Sequence, residues 1–309
     1  MPAQGEMMHH MTKRRRLEVL LVLVVMAAAA VAVSVVLFPM WKTAIDRARR
    51  QQTAEPFRIA GNLYYVGGSD VTSYLLTGPD GHVLIDGGHP ETASLIIESI
   101  AKLGFDIRDV KVLLNSHAHS DHAGGLRALQ EASGAELWVS EGDADVIATG
   151  GAGDPSLGPL RFASYFPLLN YQAPRVDHRF KDGATVRLGP VEVTAHVTAG
   201  HTPGCTSWSF PVRDGDRELL VVHICSLTPP PSLSFGESPE IKADFERSFR
   251  VLRSLPAEIW VTSHAREWGR YRKFVARANA KNPVDPFIDP EGYRAYIDSG
   301  EERLRRRPW

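Results

Sequence analysis

Short apolar runs separated by turn residues open the folded part of the chain, and they give way twice to stretches of helical spacing. From Phe57 onward, Leu63 to Val66, Ser73 to Leu76 and His82 to Asp86 read as short strands. Gly67-Gly68 and Gly78-Pro79-Asp80-Gly81 part them as turns, which predicts an antiparallel opening. Glu91 to Leu103 carries apolar residues at helical spacing and stops at Gly104. Val112-Leu113-Leu114 predicts a buried strand, Ala123 to about Ser133 a helix, and Glu136 to Val139 another strand. Residues 141–171 break the rhythm with Gly150-Gly151, Gly153-Asp154-Pro155 and Gly158-Pro159, and predict an irregular, substrate-facing loop.

The second half repeats the order of strands and then a helix. Thr185 to Leu188, Val191 to Val197, Ser207 to Phe210 and Leu219 to Ile224 read as strands, with hairpin turns at Asp182-Gly183 and Asp214-Gly215. Lys242 to Leu255 is amphipathic, with Phe245, Phe249 and Leu252 on one stripe. A last strand, Glu258 to Thr262, leads to His264, and the tail from Pro290 predicts a charged surface helix. No linker divides residues 56–309, so two similar halves packed into one domain are expected.

The amino terminus is of another kind. Lys13-Arg14-Arg15-Arg16 precedes an apolar run from Leu17 to Met40, the pattern of an export segment: a cleaved signal peptide or an uncleaved membrane anchor. Residues 41–55 read as a polar linker. Either form leaves the positive flank inside and exports the rest, which in a bacterium means the periplasm. The net charge of −1 over 309 residues gives no footprint for a polyanion and argues against a nucleic-acid partner. Two cysteines, Cys205 and Cys225, are open to pairing in an exported protein or to service as small buried neighbours of a site.

Candidate chemistry concentrates in His117-Ala118-His119-Ser120-Asp121-His122, a loop at the carboxyl end of a predicted strand. Residues two apart in extended chain point to one side, so His117 and His119 can reach one ion together, while Asp121 and His122 face a neighbouring position. Neutral imidazole and carboxylate suit zinc. His201, in the glycine-flanked turn Gly200-His201-Thr202-Pro203-Gly204, and His264, after another apolar strand, can converge on the same point. His89, His178, His196 and His223 read as surface or supporting residues.

These motifs, with Asp86 in Leu84-Ile85-Asp86-Gly87-Gly88, resemble the metallo-β-lactamase superfamily over roughly residues 56–285. The resemblance implies an α+β fold, the αββα sandwich of two sheets between helices. Ala199 to Trp208 and Cys225-Ser226-Leu227-Thr228-Pro229-Pro230 look most like the class B, subclass 3 β-lactamases, which bind two zinc ions. Carried over by position, His117, His119 and His201 would hold the first zinc, and Asp121, His122 and His264 the second. Asp86 would support the loops, and Ser226 and Thr228 would meet the substrate carboxylate. Asp121 would also orient the attacking hydroxide. One departure is plain: where many superfamily hydrolases carry a bridging aspartate, this chain has Ile224-Cys225-Ser226.

The resemblance therefore implies zinc-dependent hydrolysis of the β-lactam amide of penicillin-, cephalosporin- or carbapenem-type antibiotics; the amino-terminal segment adds export, and the oligomeric state stays open, with a monomer favoured. The alternatives are an exported zinc lactonase or other hydrolase of the same fold, a nucleic-acid-processing member, and a tethered zinc-binding module without activity.

Overall fold

Alternation along the strands sorts their side chains between two cores. Tyr74, Leu76, Val83, Ile85, Val112 and Leu114 point into one, whereas Leu75, Leu84 and Leu113 point into the other. The structure is a computed structural model that describes residues 15, 18–26, 53–165, 170–229 and 238–306.

Residues 1–50 form a unit of their own, in which residues 18–26 are helical and exposed. The remainder of the expected export segment, and the linker up to residue 52, lie outside the described residues. Among the described residues, no helix is long and apolar enough to cross a membrane.

The second unit carries two sheets. The first runs β1 (Phe57–Ala60), β2 (Leu63–Tyr65), β3 (Tyr74–Gly78), β4 (Gly81–Ile85), β5 (Val110–Leu114), β6 (Glu136–Ser140), β7 (His178–Phe180), in that spatial order. β1 to β4 pair antiparallel, as predicted, and β4 to β7 pair parallel. The second sheet is ordered β12 (Ile259–Thr262), β11 (Arg217–Ile224), β10 (Thr206–Asp214), β9 (Val191–Val197), β8 (Thr185–Leu188), antiparallel except for the β11–β12 pair.

Helices cover both outer faces. Ile96 and Ile100 of α1 (Ala93–Lys102), Ala123 of α2 (Ser120–Ala123), Leu126 and Leu129 of α3 (Leu126–Ser133) and Ile147 of α4 (Ala144–Ala148) pack on the first sheet. The predicted stripe Phe245, Phe249, Leu252 of α5 (Pro239–Ser254) packs on the second. The layers are helix, sheet, sheet, helix, as the resemblance implies.

Four expectations change. The helix expected from Ala123 is two pieces, α2 and α3, parted at Gly124-Gly125, where Gly125 N–H donates to Gly88 O at 3.1 Å instead of continuing the helix and only a glycine clears the Gly87 carbonyl. Residues 141–171 are less irregular than expected: they hold α4 and a 3-10 run over Pro155–Tyr165 that turns at Gly158 through a positive φ of 55°. A helix unmarked in the periodicity, α6 (Arg270–Ala276), follows His264. The tail helix, α7 (Pro290–Arg305), keeps the expected charged outer side but also buries Tyr293, Ile297 and Leu304 on its inner one.

Candidate metal centre

Each chemically loaded loop begins where a strand ends: Asp86 after β4, His117 after β5, His201 after β9 and His264 after β12. Main-chain bonds lock these loops together across the two sheets. Thr206 N–H donates to Ser116 O at 2.8 Å, Thr72 N–H donates to Ser263 O at 3.2 Å, and Val71 bridges His264.

Three histidines form a compact triangle. The ring centres of His117 and His119 lie 4.9 Å apart, those of His117 and His201 4.7 Å, and those of His119 and His201 4.6 Å. Their ligand nitrogens all fall within 4.8 Å of one another. In every ring one nitrogen is already engaged by the protein. His117 Nδ1 meets Ser116 Oγ at 3.0 Å, His119 Nε2 meets Ser156 Oγ at 2.8 Å, and His201 Nδ1 donates to the Thr228 carbonyl at 2.6 Å. The second nitrogen of each is left available, the arrangement by which outer contacts orient metal-binding imidazoles. Burial pushes His117 well below the ordinary histidine range and His201 down to about 3, with the neighbouring rings adding to both. These rings are neutral at pH 7, the form that binds a metal.

A second group adjoins the first. Asp121 Oδ2 lies 3.4 Å from His122 Nε2 and 3.8 Å from His264 Nε2. On their far sides, His122 Nδ1 is 3.3 Å from Asp86 Oδ2, and His264 Nδ1 is 3.8 Å from Asp70 Oδ2. Burial works against charge here, yet the charge of His122 holds Asp121 well below the carboxylate range, while Asp121 and Asp86 raise His122. Although His122 is fully buried, neither of its ring nitrogens makes an aligned hydrogen bond among the described residues. Each faces a carboxylate instead, Asp86 at Nδ1 and Asp121 at Nε2, and a buried nitrogen without an aligned partner costs stability. A cation between Asp121 and Nε2 would take up that nitrogen, so the residues fit a divalent metal, and nitrogen with carboxylate oxygen is a zinc donor set.

Asp86 lies just past β4, against the loop that follows β5. Its carboxylate accepts from Ser116 N–H at 2.6 Å, Ser116 Oγ at 2.7 Å and Asn115 Nδ2 at 3.3 Å. Its φ of +64° makes it the one non-glycine residue with positive φ among the described residues, a strained conformation held by those bonds. Cys205 and Cys225 form a disulfide, which settles the open question about them. Cys225 Sγ lies 3.7 Å from His117 Nδ1, but a disulfide sulfur offers no thiolate, so Cys225 is a neighbour of the histidine triangle and no ligand.

Ser226 and Thr228 play parts that the motif did not foretell. Ser226 is buried and its Oγ accepts from Thr228 N–H at 3.3 Å, while the Thr228 carbonyl orients His201. Elsewhere, His178 pairs with Glu136 at 2.9 Å, His196 bonds Ser209 Oγ at 2.7 Å, and His223 is fully buried beside Tyr74.

Sequence reasoning missed Ser156, which grips His119 from inside the glycine-rich stretch, and Asp70, behind His264. It also missed Asp143, whose carboxyl burial pushes up to about 6, opposed by bonds from the Thr202 hydroxyl and Gly204 N–H. No motif marks these three; a polar residue two or three places past a strand end or turn was the only signal available.

Comparison with known proteins agrees with this geometry. The family model of the metallo-β-lactamase superfamily matches residues 66–264. Among solved structures, the Rm3 metallo-β-lactamase is 40% identical with a TM-score of 0.75, covering 83% of this chain and 94% of that one. The FEZ-1 metallo-β-lactamase from Legionella gormanii is 36% identical with a TM-score of 0.76, over 82% and 95%. MEM-A1, a subclass B3 metallo-β-lactamase from a soil metagenome library, is 34% identical with a TM-score of 0.76, over 84% and 97%. Curated relatives include hydroxyacylglutathione hydrolases of Jannaschia sp. (strain CCS1), 28% identical over 38% of this chain, and of Hyphomonas neptunium, 29% identical over 47%. The chain spans about a third to a half of the length of those two, 35% and 45%. With its paired sheets, its histidine triangle and these likenesses, the chain belongs to the metallo-β-lactamase superfamily.

Proposed function

We propose that this protein hydrolyses the amide of a β-lactam ring, using two zinc ions. The observation that carries the reading is the complete donor set on the six residues His117, His119, His201, Asp121, His122 and His264, in a chain that covers more than nine-tenths of β-lactamases a third or more identical to it. In this reading the histidine triangle holds one ion, and Asp121, His122 and His264 hold the other. Bound there, zinc supplies Lewis acidity and a water of lowered pKa. The protein's own share is placement. Ser116, Ser156 and the Thr228 carbonyl fix the three rings before any ion arrives. Asp121 carries a charge within reach of both second-position histidines, and from there it orients the attacking water. Thr228 lies against His201 and is bonded in turn to Ser226, and these two residues would take the substrate carboxylate.

A second reading, hydrolysis of a thioester or lactone, is favoured by the curated relatives, which are hydroxyacylglutathione hydrolases. Against it, the end of β11 offers the disulfide-bonded Cys225 where those hydrolase types carry a bridging aspartate. Export to the periplasm accords with the basic–apolar amino terminus and with a disulfide, which persists in oxidising compartments. Shielding the producing cell from β-lactam antibiotics would be the role there.

The test assays the zinc-loaded protein against a penicillin, a cephalosporin, a carbapenem and a glutathione thioester, with and without a chelator. Chelator-sensitive opening of a lactam is expected, lost below detection in His119→Ala and His201→Ala. Turnover of the thioester alone would transfer the assignment to the second reading.

A further inference from the structure

We infer that Asp143 is a positioning residue for the metal centre: its carboxylate fixes the spacing between the loop that carries His117 and His119 and the turn that carries His201. The inference rests on the metal-centre reading of those histidines and is independent of which bond the enzyme opens.

Asp143 follows β6 and is 1% exposed. One oxygen, Oδ2, accepts from Ala118 N–H at 3.0 Å and from the Thr202 hydroxyl at 2.7 Å. The other, Oδ1, accepts from Gly204 N–H at 2.8 Å. Ala118 stands between His117 and His119, and Thr202 and Gly204 flank the turn just after His201. A single carboxylate thus spans two loops that arise from different sheets, bonding the main chain between His117 and His119 on one side and the Thr202 hydroxyl next to His201 on the other.

The surrounding chain is shaped for this grip. A side chain at Gly204 would strike Ser140 Oγ and come within 2.5 Å of Asp143 N, and one at Gly142 would lie 2.8 Å from Gly204 N. The segment Gly142-Asp143 and the turn Pro203-Gly204 therefore interlock at a distance only glycines permit. Ser140 Oγ closes the junction from the other side by donating to Gly204 O at 2.7 Å. This gives a chemical reason for residues of the His201 turn that bind no metal: Thr202 supplies a hydroxyl and Gly204 an unobstructed N–H.

The test measures zinc affinity by competition with a chromophoric chelator, alongside thermal unfolding, in the full-length protein. Asp143→Asn keeps size but withdraws acceptor capacity, and Thr202→Val deletes one arm while the bonds from Ala118 N–H and Gly204 N–H to the carboxylate stay in place. Asp177→Asn is the control. Asp177 likewise joins separate elements, accepting from Leu137 N–H of β6 and Gln130 Nε2 of α3, both at 2.9 Å, and among the described residues bonds none of the loops that carry the histidine triangle. Asp143→Asn is expected to weaken zinc binding about 10–100-fold, the range for outer partners of metal ligands. Thr202→Val should move it less, in the same direction, and Asp177→Asn should lower the melting temperature with affinity unchanged. If both Asp143→Asn and Thr202→Val bind zinc like the wild type, or if Asp177→Asn weakens it equally, the inference is wrong. Should Asp143→Asn fail to fold, Thr202→Val decides alone. A wild-type protein that takes up no zinc would instead remove the metal-centre reading itself.

Discussion

Asp86 and Asp143 are both 1% exposed, and both accept three hydrogen bonds from loops that carry histidines, yet they do different work. Asp86 grips the loop of the adjacent strand and stands 3.3 Å from a ring nitrogen of His122, at the cost of a left-handed backbone. Asp143 keeps an ordinary backbone, φ −114°, at the start of α4, and takes its bonds from two N–H groups and a hydroxyl on two loops. One carboxylate orients a ring; the other sets the gap between main chains. Buried carboxylates near a site therefore divide by what donates to them rather than by how deep they lie.

Three substitutions sharpen or break that contrast. Asp86→Ala leaves the Ser116 N–H and His122 without their acceptor in the interior. Losing one partner of a buried pair costs about 3–5 kcal/mol, read as a fall in the urea midpoint of the metal-free protein. A cost under about 1 kcal/mol would mean that Asp86 behaves like a surface charge and that the contrast fails.

The pH dependence of Asp143 comes next. Unfolded, its carboxyl releases its proton near 3.8; folded, it does so near 6. Between these values the folded state binds the extra proton, so stability falls as pH rises through that window and is level above it. Two pH units correspond to about 3 kcal/mol. Asp143→Asn carries no such titration, so the stability of the wild type relative to that variant should decline from pH 4 to pH 6. A flat difference would refute the assignment of that proton to Asp143.

The smallest effect belongs to Ser156→Ala, which removes the 2.8 Å contact to His119 Nε2. One hydrogen bond is worth about 1 kcal/mol, and the change should show mainly as a faster loss of zinc to a chelator. No change in that rate would leave His119 held by the fold of its loop alone.

How legible was all this in the chain? The sheets were, since strand-length apolar runs of period two cannot be buried otherwise, and Phe245, Phe249 and Leu252 announced the covering helix. The candidate ligands were legible because they crowd into one short segment and two strand-end turns. What stayed hidden depends on approach between segments remote in sequence. The break at Gly124-Gly125 exists because Gly125 N–H turns out to the Gly88 carbonyl, and Ser156 matters because its loop folds back 37 residues to His119. Asp143 reaches 59 residues forward to Thr202. Periodicity describes faces of single elements, and it carries no information about which loops will touch.

The pairing of Val71 with His264 has a consequence for how the protein comes into being. The loop after β2 and the loop after β12 are joined by this bridge, by Thr72 Oγ1 donating to Thr262 O at 2.8 Å, and by Ala265 N–H donating to Asp70 O. Partners nearly two hundred residues apart meet slowly, because a long chain must close before the contact is gained. A growing polypeptide contains His117, His119 and His201 well before residue 264 has been added, and the neighbouring group is complete only once the last strand docks. The second group is thus a mark that both halves of the domain have come together.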